Sequence, residues 1–113
     1  MLKKISDLEL YEVNYLVAKA QDLTITFFDQ EVYVWLDYDS GDIEYSPTTN
    51  PSQAWPIIER EKIYFIYGYD CGELQYRALG HRYSSECISY GKTSLEAAMR
   101  CYVASVYDEE VEI

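Results

Sequence analysis

Cys71 and Cys87, which flank His81 in sequence, are the first candidates for covalent chemistry in this chain. A thiol becomes a nucleophile when a base stands within hydrogen-bond reach, and His81 is the chain's single histidine, set between the two cysteines. No catalytic signature surrounds either thiol. Asp70, Cys71, Glu73 and His81 are all metal-ligand types, but they lack zinc-site spacing. Asp37-Tyr38-Asp39-Ser40-Gly41-Asp42-Ile43-Glu44 gathers acids around a glycine, yet its spacing fails the calcium-loop pattern. Glu59-Arg60-Glu61 offers two carboxylates for acid–base work, although charges on a solvated turn explain it as well. Gly-rich phosphate loops, GxSxG and HExxH are absent. The expectation is therefore no catalytic residue, no metal and no cofactor.

The stronger signal is acidic and aromatic. No Lys or Arg occurs between Lys19 and Arg60, while that window holds Asp22, Asp29, Glu31, Asp37, Asp39, Asp42, Glu44 and Glu59. Val32, Val34 and Leu36 alternate with Glu31, Tyr33, Trp35 and Asp37. On a strand, that period of two puts the aliphatic set inward and shows Tyr33 and Trp35 framed by acids. Exposed aromatics beside carboxylates suit a protein interface. The competing reading is that another element covers both rings, since large aromatics are usually mostly buried. The thirteen tyrosines lie among acids rather than bases. That disfavours single-strand nucleic-acid binding and leaves protein recognition and a Tyr-rich core both open.

The elements that must position these residues follow from local pattern. Ser6-Asp7-Leu8-Glu9 reads as a capping box, followed by Leu10, Val13, Val17 and Ala20 at helical spacing to an end near Gln21 or Asp22. Residues 23–28 and 31–37 read as a hairpin turning at Asp29-Gln30. Residues 38–50 read as a loop. Asn50 and Pro51 read as the cap and first position of a short helix, which Pro56 interrupts or restarts. Residues 63–67 and 73–79 suggest a second hairpin about a turn at 68–72. Residues 80–85 read as a loop and 86–90 as a short strand. Thr93-Ser94-Leu95-Glu96 is another capping box. Leu95, Ala98, Met99, Tyr102, Val103 and Val106 then form one apolar stripe, as a core helix requires. Asp108, Glu109, Glu110 and Glu112 follow it, either as a solvated end or, through Val111 and Ile113, as an edge strand.

This order predicts one domain over residues 1–113. Its class is α+β: an antiparallel sheet of about four to five short strands, with an N-terminal and a C-terminal helix on one face and a short middle helix. The 113 residues suffice for one core. A net charge of −11 repels nucleic acid and anionic membranes, and its natural complement is a basic protein surface. Cys71, Cys87 and Cys101 are odd in number and form no CxxC, so reduced thiols in cytoplasm are expected. No signal peptide and no membrane span are expected.

Three stretches, "AAMRCYVASVYDEEVEI", "YLVAKAQD" and "YSPTTNPSQAWPIIEREKI", together resemble the NinX-like family of small phage and prophage proteins. "AAMRCYVASVYDEEVEI" resembles the family's AMR-x-YVAS helix and acidic, valine-containing tail. "YLVAKAQD" resembles its aromatic-x-VAKA helix end, and "YSPTTNPSQAWPIIEREKI" its YSPS…W…PIIERE segment. Residues 64–90 carry no such likeness. The resemblance implies a phage or prophage protein at work in bacterial cytoplasm, and it carries no catalytic residues. If the shared segments bear function, Tyr45, Ser46, Pro47, Trp55, Pro56, Glu59, Arg60 and Glu61 are the candidates; turn-fixing prolines, a core Trp55 and a paired Arg60 explain them structurally.

The expected function is that of a small acidic, non-enzymatic accessory protein that binds a host bacterial protein with a basic surface. Acids on a rigid scaffold compete with DNA phosphates for a basic groove, as an inhibitor of a defence or nucleic-acid-processing enzyme would. The candidate contacts are Glu31, Tyr33, Trp35, Asp37, Asp39, Asp42, Glu44, Tyr45, Trp55, Glu59, Arg60 and Glu61. No direct nucleic-acid or membrane partner is expected. The alternatives are a small enzyme using carboxylates or a Cys/His pair, and a structural homo-oligomeric accessory protein.

Overall fold

The computed structural model describes residues 2–70, 73–82, 85–107 and 110–112, with the backbone alone given for 36, 37, 66–70, 73–75, 77, 81, 82 and 85–89. The order is β1 (Leu2–Lys4), a 3-10 turn (Ile5–Asp7), α1 (Leu10–Ala20), β2 (Ile25–Phe28), β3 (Glu31–Asp37), β4 (Gly41–Glu44), α2 (Pro51–Glu61), β5 (Tyr64–Asp70), β6 (Glu73–Arg82), β7 (Ser85–Gly91), α3 (Ser94–Tyr107) and β8 (Glu110–Glu112). The class is α+β, and the strands divide into three small antiparallel sheets, β2-β3-β4, β5-β6-β7 and β1-β8.

Helix α3 is the element against which β5-β6-β7, β8 and the other helices pack, while β2-β3-β4 lies on α1. Ala97, Ala98, Met99, Cys101 and Val103 are all but sealed from solvent, and the helix lies on β6 and β7 and against α1 and α2. Small residues allow close approach: a β-carbon added at Gly91 would stand 2.6 Å from the Ala97 backbone nitrogen. The Thr93 hydroxyl accepts the Glu96 amide at 3.1 Å, and Glu96 takes the Lys92 amide at 3.3 Å. The cap predicted at Thr93 is thus formed. Val106, assigned to the apolar stripe by its spacing, is exposed because it sits in the last turn beyond the sheet.

A charged side chain closes the interior. Arg100 is buried, and its Nη1 donates to the Ile5 carbonyl at 2.5 Å and its Nη2 to the Leu8 carbonyl at 2.8 Å. Glu96 accepts from Arg100 Nε and Nη2, each at 3.2 Å. A buried guanidinium is tolerated because its donors find acceptors and its charge a carboxylate. These bonds fix the 3-10 turn against α3. Next to it, Val111 of β8 is buried and pairs opposite Lys3 of β1. The strand alternative for the acidic tail is the one realised. Asp108, Glu109 and Ile113 lie outside the described residues.

Four expectations change. Helix α1 starts at Leu10, not after Ser6: Leu8 is extended (φ −73°, ψ 142°) and buried, and Glu9 is the cap. Glu9 and Glu12 form the reciprocal box in place of Ser6 and Glu9, with the Glu9 amide donating to Glu12 at 2.9 Å. Residues 41–44, read within a loop, form β4, whose turn is made possible by Gly41 at φ 66°. Pro56 lies inside a continuous α2 instead of interrupting it. The carbonyl it leaves without a donor belongs to exposed Ser52, where water can serve it, while buried Ala54, Ile57 and Ile58 hold the helix down. Finally, β5, β6 and β7 run longer than their local pattern, so residues 80–82 are strand rather than loop.

Candidate functional site

The hairpin predicted at residues 23–37 forms with its turn at Asp29 and Gln30, both left-handed (φ 48° and 64°). Paired residues share a face in an antiparallel sheet, so the register sorts the side chains. Val34 stands opposite Ile25 and Ile43, and Val32 opposite Phe27, on the inner face. Val32 and Val34 are buried, while Phe27 packs edge-on against Tyr11 and at a tilt against Tyr15 on α1.

The outer face carries the opposite set. Tyr33 stands between Thr26 and Glu44, Trp35 opposite Asp42, and Glu31 opposite Phe28. Trp35 is 42% exposed, Phe28 71% and Tyr38 96%. No described element covers these rings, so the competing reading of a buried Tyr33–Trp35 pair is overturned for Trp35, and Tyr33 is half-buried only. Trp35 and Tyr38 meet edge to face with centroids 5.5 Å apart. The Tyr33 hydroxyl donates to Glu31 Oε2 at 2.6 Å. That hydrogen bond is the main reason its ionisation is shifted upward, and the charges of Glu31 and Glu44 add to it. The phenol thus stays neutral and donating. The face offers planar apolar area ringed by anions, a combination suited to a guanidinium- or ammonium-bearing surface.

Of the residues predicted to bind, Glu31, Tyr33, Trp35, Asp42 and Glu44 are brought together on this face. Asp39 is exposed in the turn beyond it, and Asp37 is described by its backbone alone, opposite Gly41. Phe28 and Tyr38 add exposed aromatic area here that the sequence reading does not include. The period of two that exposes Glu31 also exposes Phe28 across the turn, so the signal for Phe28 was present.

Tyr45 does not belong to the site. It follows Glu44 by one residue, falls on the inner side and is 7% exposed. Its hydroxyl accepts from Gln21 Nε2 at 2.5 Å, and burial raises its ionisation above the ordinary phenol value. Ser46 and Pro47 are likewise structural. Asn14 on α1 receives the Thr48 amide at 3.1 Å and donates to Ser46 Oγ at 3.3 Å. Gln53 takes the Ser46 amide at 2.7 Å and donates to the Glu44 carbonyl at 2.8 Å. Pro47 is buried among them.

On α2, Trp55 is 51% exposed and donates from Nε1 to Glu59 at 2.8 Å. Trp55 therefore is not core. It lies two residues from Gln53, roughly 200° around the helix, and so points away from β4. Arg60 pairs with Glu61 at 2.8 Å and sits 5.7 Å over the Tyr102 ring, donating to its hydroxyl at 3.3 Å. Glu59, Arg60 and Glu61 thus form a second polar group, centred on α2 and α3. Among the described residues no group of three or more His, Cys, Asp or Glu could hold a metal ion. Cys71 lies outside the described residues, and the side chains of Asp70, Glu73, His81 and Cys87 are not described. Among the described residues no helix is long and apolar enough to cross a membrane.

A family model described as Bacteriophage P22, NinX matches residues 4–106. A solved structure, a phage protein from Bacillus cereus ATCC 14579, is similar with a TM-score of 0.62 at 16% identity, over 88% of this chain and 93% of that one, which is a likeness of fold. No curated protein matches the sequence.

Proposed function

The chain belongs to the Bacteriophage P22 NinX family, and from that premise we propose that it is a phage accessory protein that binds a host protein through the outer face of β2-β3-β4. One observation carries this reading: Tyr33 and Trp35 stand at the centre of an uncovered sheet face, framed by Glu31, Asp42 and Glu44, with no Lys or Arg from residue 20 to residue 59. The aromatic rings supply desolvated contact area, and the acids select a basic groove and speed encounter. A groove that binds nucleic acid has that character, so the chain acts by occupying it in place of phosphates. No chemical step is involved in this reading.

The test is capture from a bacterial host at low and high salt, followed by purified binding of whatever partner is retained. The expected partner is a nucleic-acid-binding protein, held at low salt and released at high salt. Trp35→Ala should weaken it, and Glu31→Gln with Asp42→Asn and Glu44→Gln should remove the salt dependence. A partner that binds these variants as tightly as the parent chain would refute the assignment of the face.

A further inference from the structure

Strand β2 is an undefended edge. Among the described residues it pairs with β3 alone. The register fixes which of its backbone groups are committed. Phe28 and Glu31 close the two-residue turn, and the Trp35 amide donates to the Thr24 carbonyl at 3.0 Å. Thr24, Thr26 and Phe28 therefore direct their N–H and C=O groups toward β3, and Ile25 and Phe27 direct theirs to the open side. Edges are normally protected by charge, proline or a bulge. Residues 23–28 hold no charged side chain and no proline, while Leu23, Phe27 and Phe28 are 36%, 46% and 71% exposed. Strand β4, the other edge of the same sheet, carries Asp42 and Glu44.

We propose that β2 pairs with β2 of a second copy of the chain, antiparallel, about a two-fold axis at Thr26. An antiparallel edge is its own complement, as an isologous interface requires. With the axis at Thr26, Ile25 of each copy faces Phe27 of the other, and each such pair exchanges both backbone hydrogen bonds. Registers centred on Ile25 or Phe27 leave one of these pairings to residue 23 or 29, outside the strand. The same register settles the charge problem at the edge. Leu23 faces Asp29 of the second copy, Asp22 faces Gln30, and Thr24 faces Phe28, so no acid stands opposite an acid. Ile25 and Phe27 then extend the inner face across the axis, and Phe28 is covered. The product is a continuous six-stranded sheet with the Tyr33–Trp35 face displayed twice.

Each copy carries a net charge of −11, so salt relieves repulsion and strengthens the pairing. That response is opposite in sign to the one expected for a basic host partner, so the two readings fail separately. Sedimentation of the full chain over a concentration series, at low and high salt, should show a mass that doubles with concentration and does so sooner at high salt. Thr26→Cys supplies the register. At the axis the opposed α-carbons of a non-hydrogen-bonded pair are about 4.5 Å apart, within the range of about 4.4–6.8 Å that a disulfide spans. Mild oxidation should link Thr26→Cys into a covalent dimer and leave Thr24→Cys, which faces residue 28 of the other copy, unlinked. Thr26→Lys, which sets two ammonium groups against each other, should abolish the doubled mass with the circular dichroism unchanged. A monomer at every concentration and salt, or cross-linking of Thr24→Cys as readily as Thr26→Cys, would overturn the proposal.

Discussion

Residues 31–44 and residues 45–53 adjoin in sequence and use polar side chains in opposite ways. In the second stretch the polar groups turn inward: Asn14 of α1 binds Ser46 Oγ and the Thr48 amide, and Gln53 binds the Ser46 amide and the Glu44 carbonyl, while Thr48 Oγ1 alone among the buried polar side-chain atoms of the described residues has no partner. In the first stretch Glu31, Asp42 and Glu44 point outward, and the hydrogen bond from Tyr33 to Glu31 is exposed. A buried polar group must be matched within the fold, or its desolvation is uncompensated. An exposed acid has no such requirement and remains available to another molecule. The contrast teaches that the segments resembling the family are concerned mainly with assembling the fold, whereas the acidic aromatic face contributes little to it and is the surface on which the proposed function rests.

Substitutions test that division. Arg100→Met should be the most damaging, about 3–5 kcal/mol by chemical denaturation, because it strips Ile5 and Leu8 of a donor and strands Glu96. If Arg100→Met folds with parental stability, the inward half of the comparison breaks. Asn14→Ala should follow at about 1–3 kcal/mol, since it orphans the buried Thr48 amide. Asn50→Ala removes the acceptor for the Ser52 amide and should cost about 1 kcal/mol, read as a lowered melting temperature. Trp35→Ala belongs to the outward half and should change stability by less than about 0.5 kcal/mol. A larger loss would mean that the ring is part of the fold.

Titration sharpens the same contrast. Burial raises the ionisation of Tyr45, Tyr102 and Tyr107 above the ordinary value near 10. The sign follows: above that value the unfolded chain releases phenolic protons that the native state retains, so stability falls as pH rises toward the native values. Melting temperatures measured from neutral to alkaline pH should decline in that window, and Tyr45→Phe should flatten the decline.

Local chemistry made part of this readable. The Asn50–Pro51 start, the cap at Thr93 and the hairpin turning at Asp29-Gln30 each depend on residues within a few positions of one another, and each formed. The exposed face followed from the period of two in β3. What escaped was non-local. Strand β1 exists because β8 lies beside it, and nothing near Leu2 announces Val111. Arg100 looks like a solvated charge until Ile5 and Leu8 supply its acceptors. Tyr45 is assigned by which side of β4 the chain continues on. The start of α1 moved from Ser6 to Glu9 because Leu8 is drawn into the core, a tertiary demand that outweighed a good local cap.

The Arg100 clasp also sets a timetable. A ribosome delivers residues 2–8 roughly a hundred residues before Arg100 and Val111, which at about 5–20 residues per second is a delay of several seconds. Through that interval Ile5 and Leu8 have neither their guanidinium donor nor the cover of α3, and β1 has no strand beside it. Residues 2–8 are thus secured only after α3 and β8 have been made. A nascent chain halted before Arg100 should be readily cut near the 3-10 turn, and one released after Val111 should resist, so protease protection of that turn marks the moment at which the clasp closes.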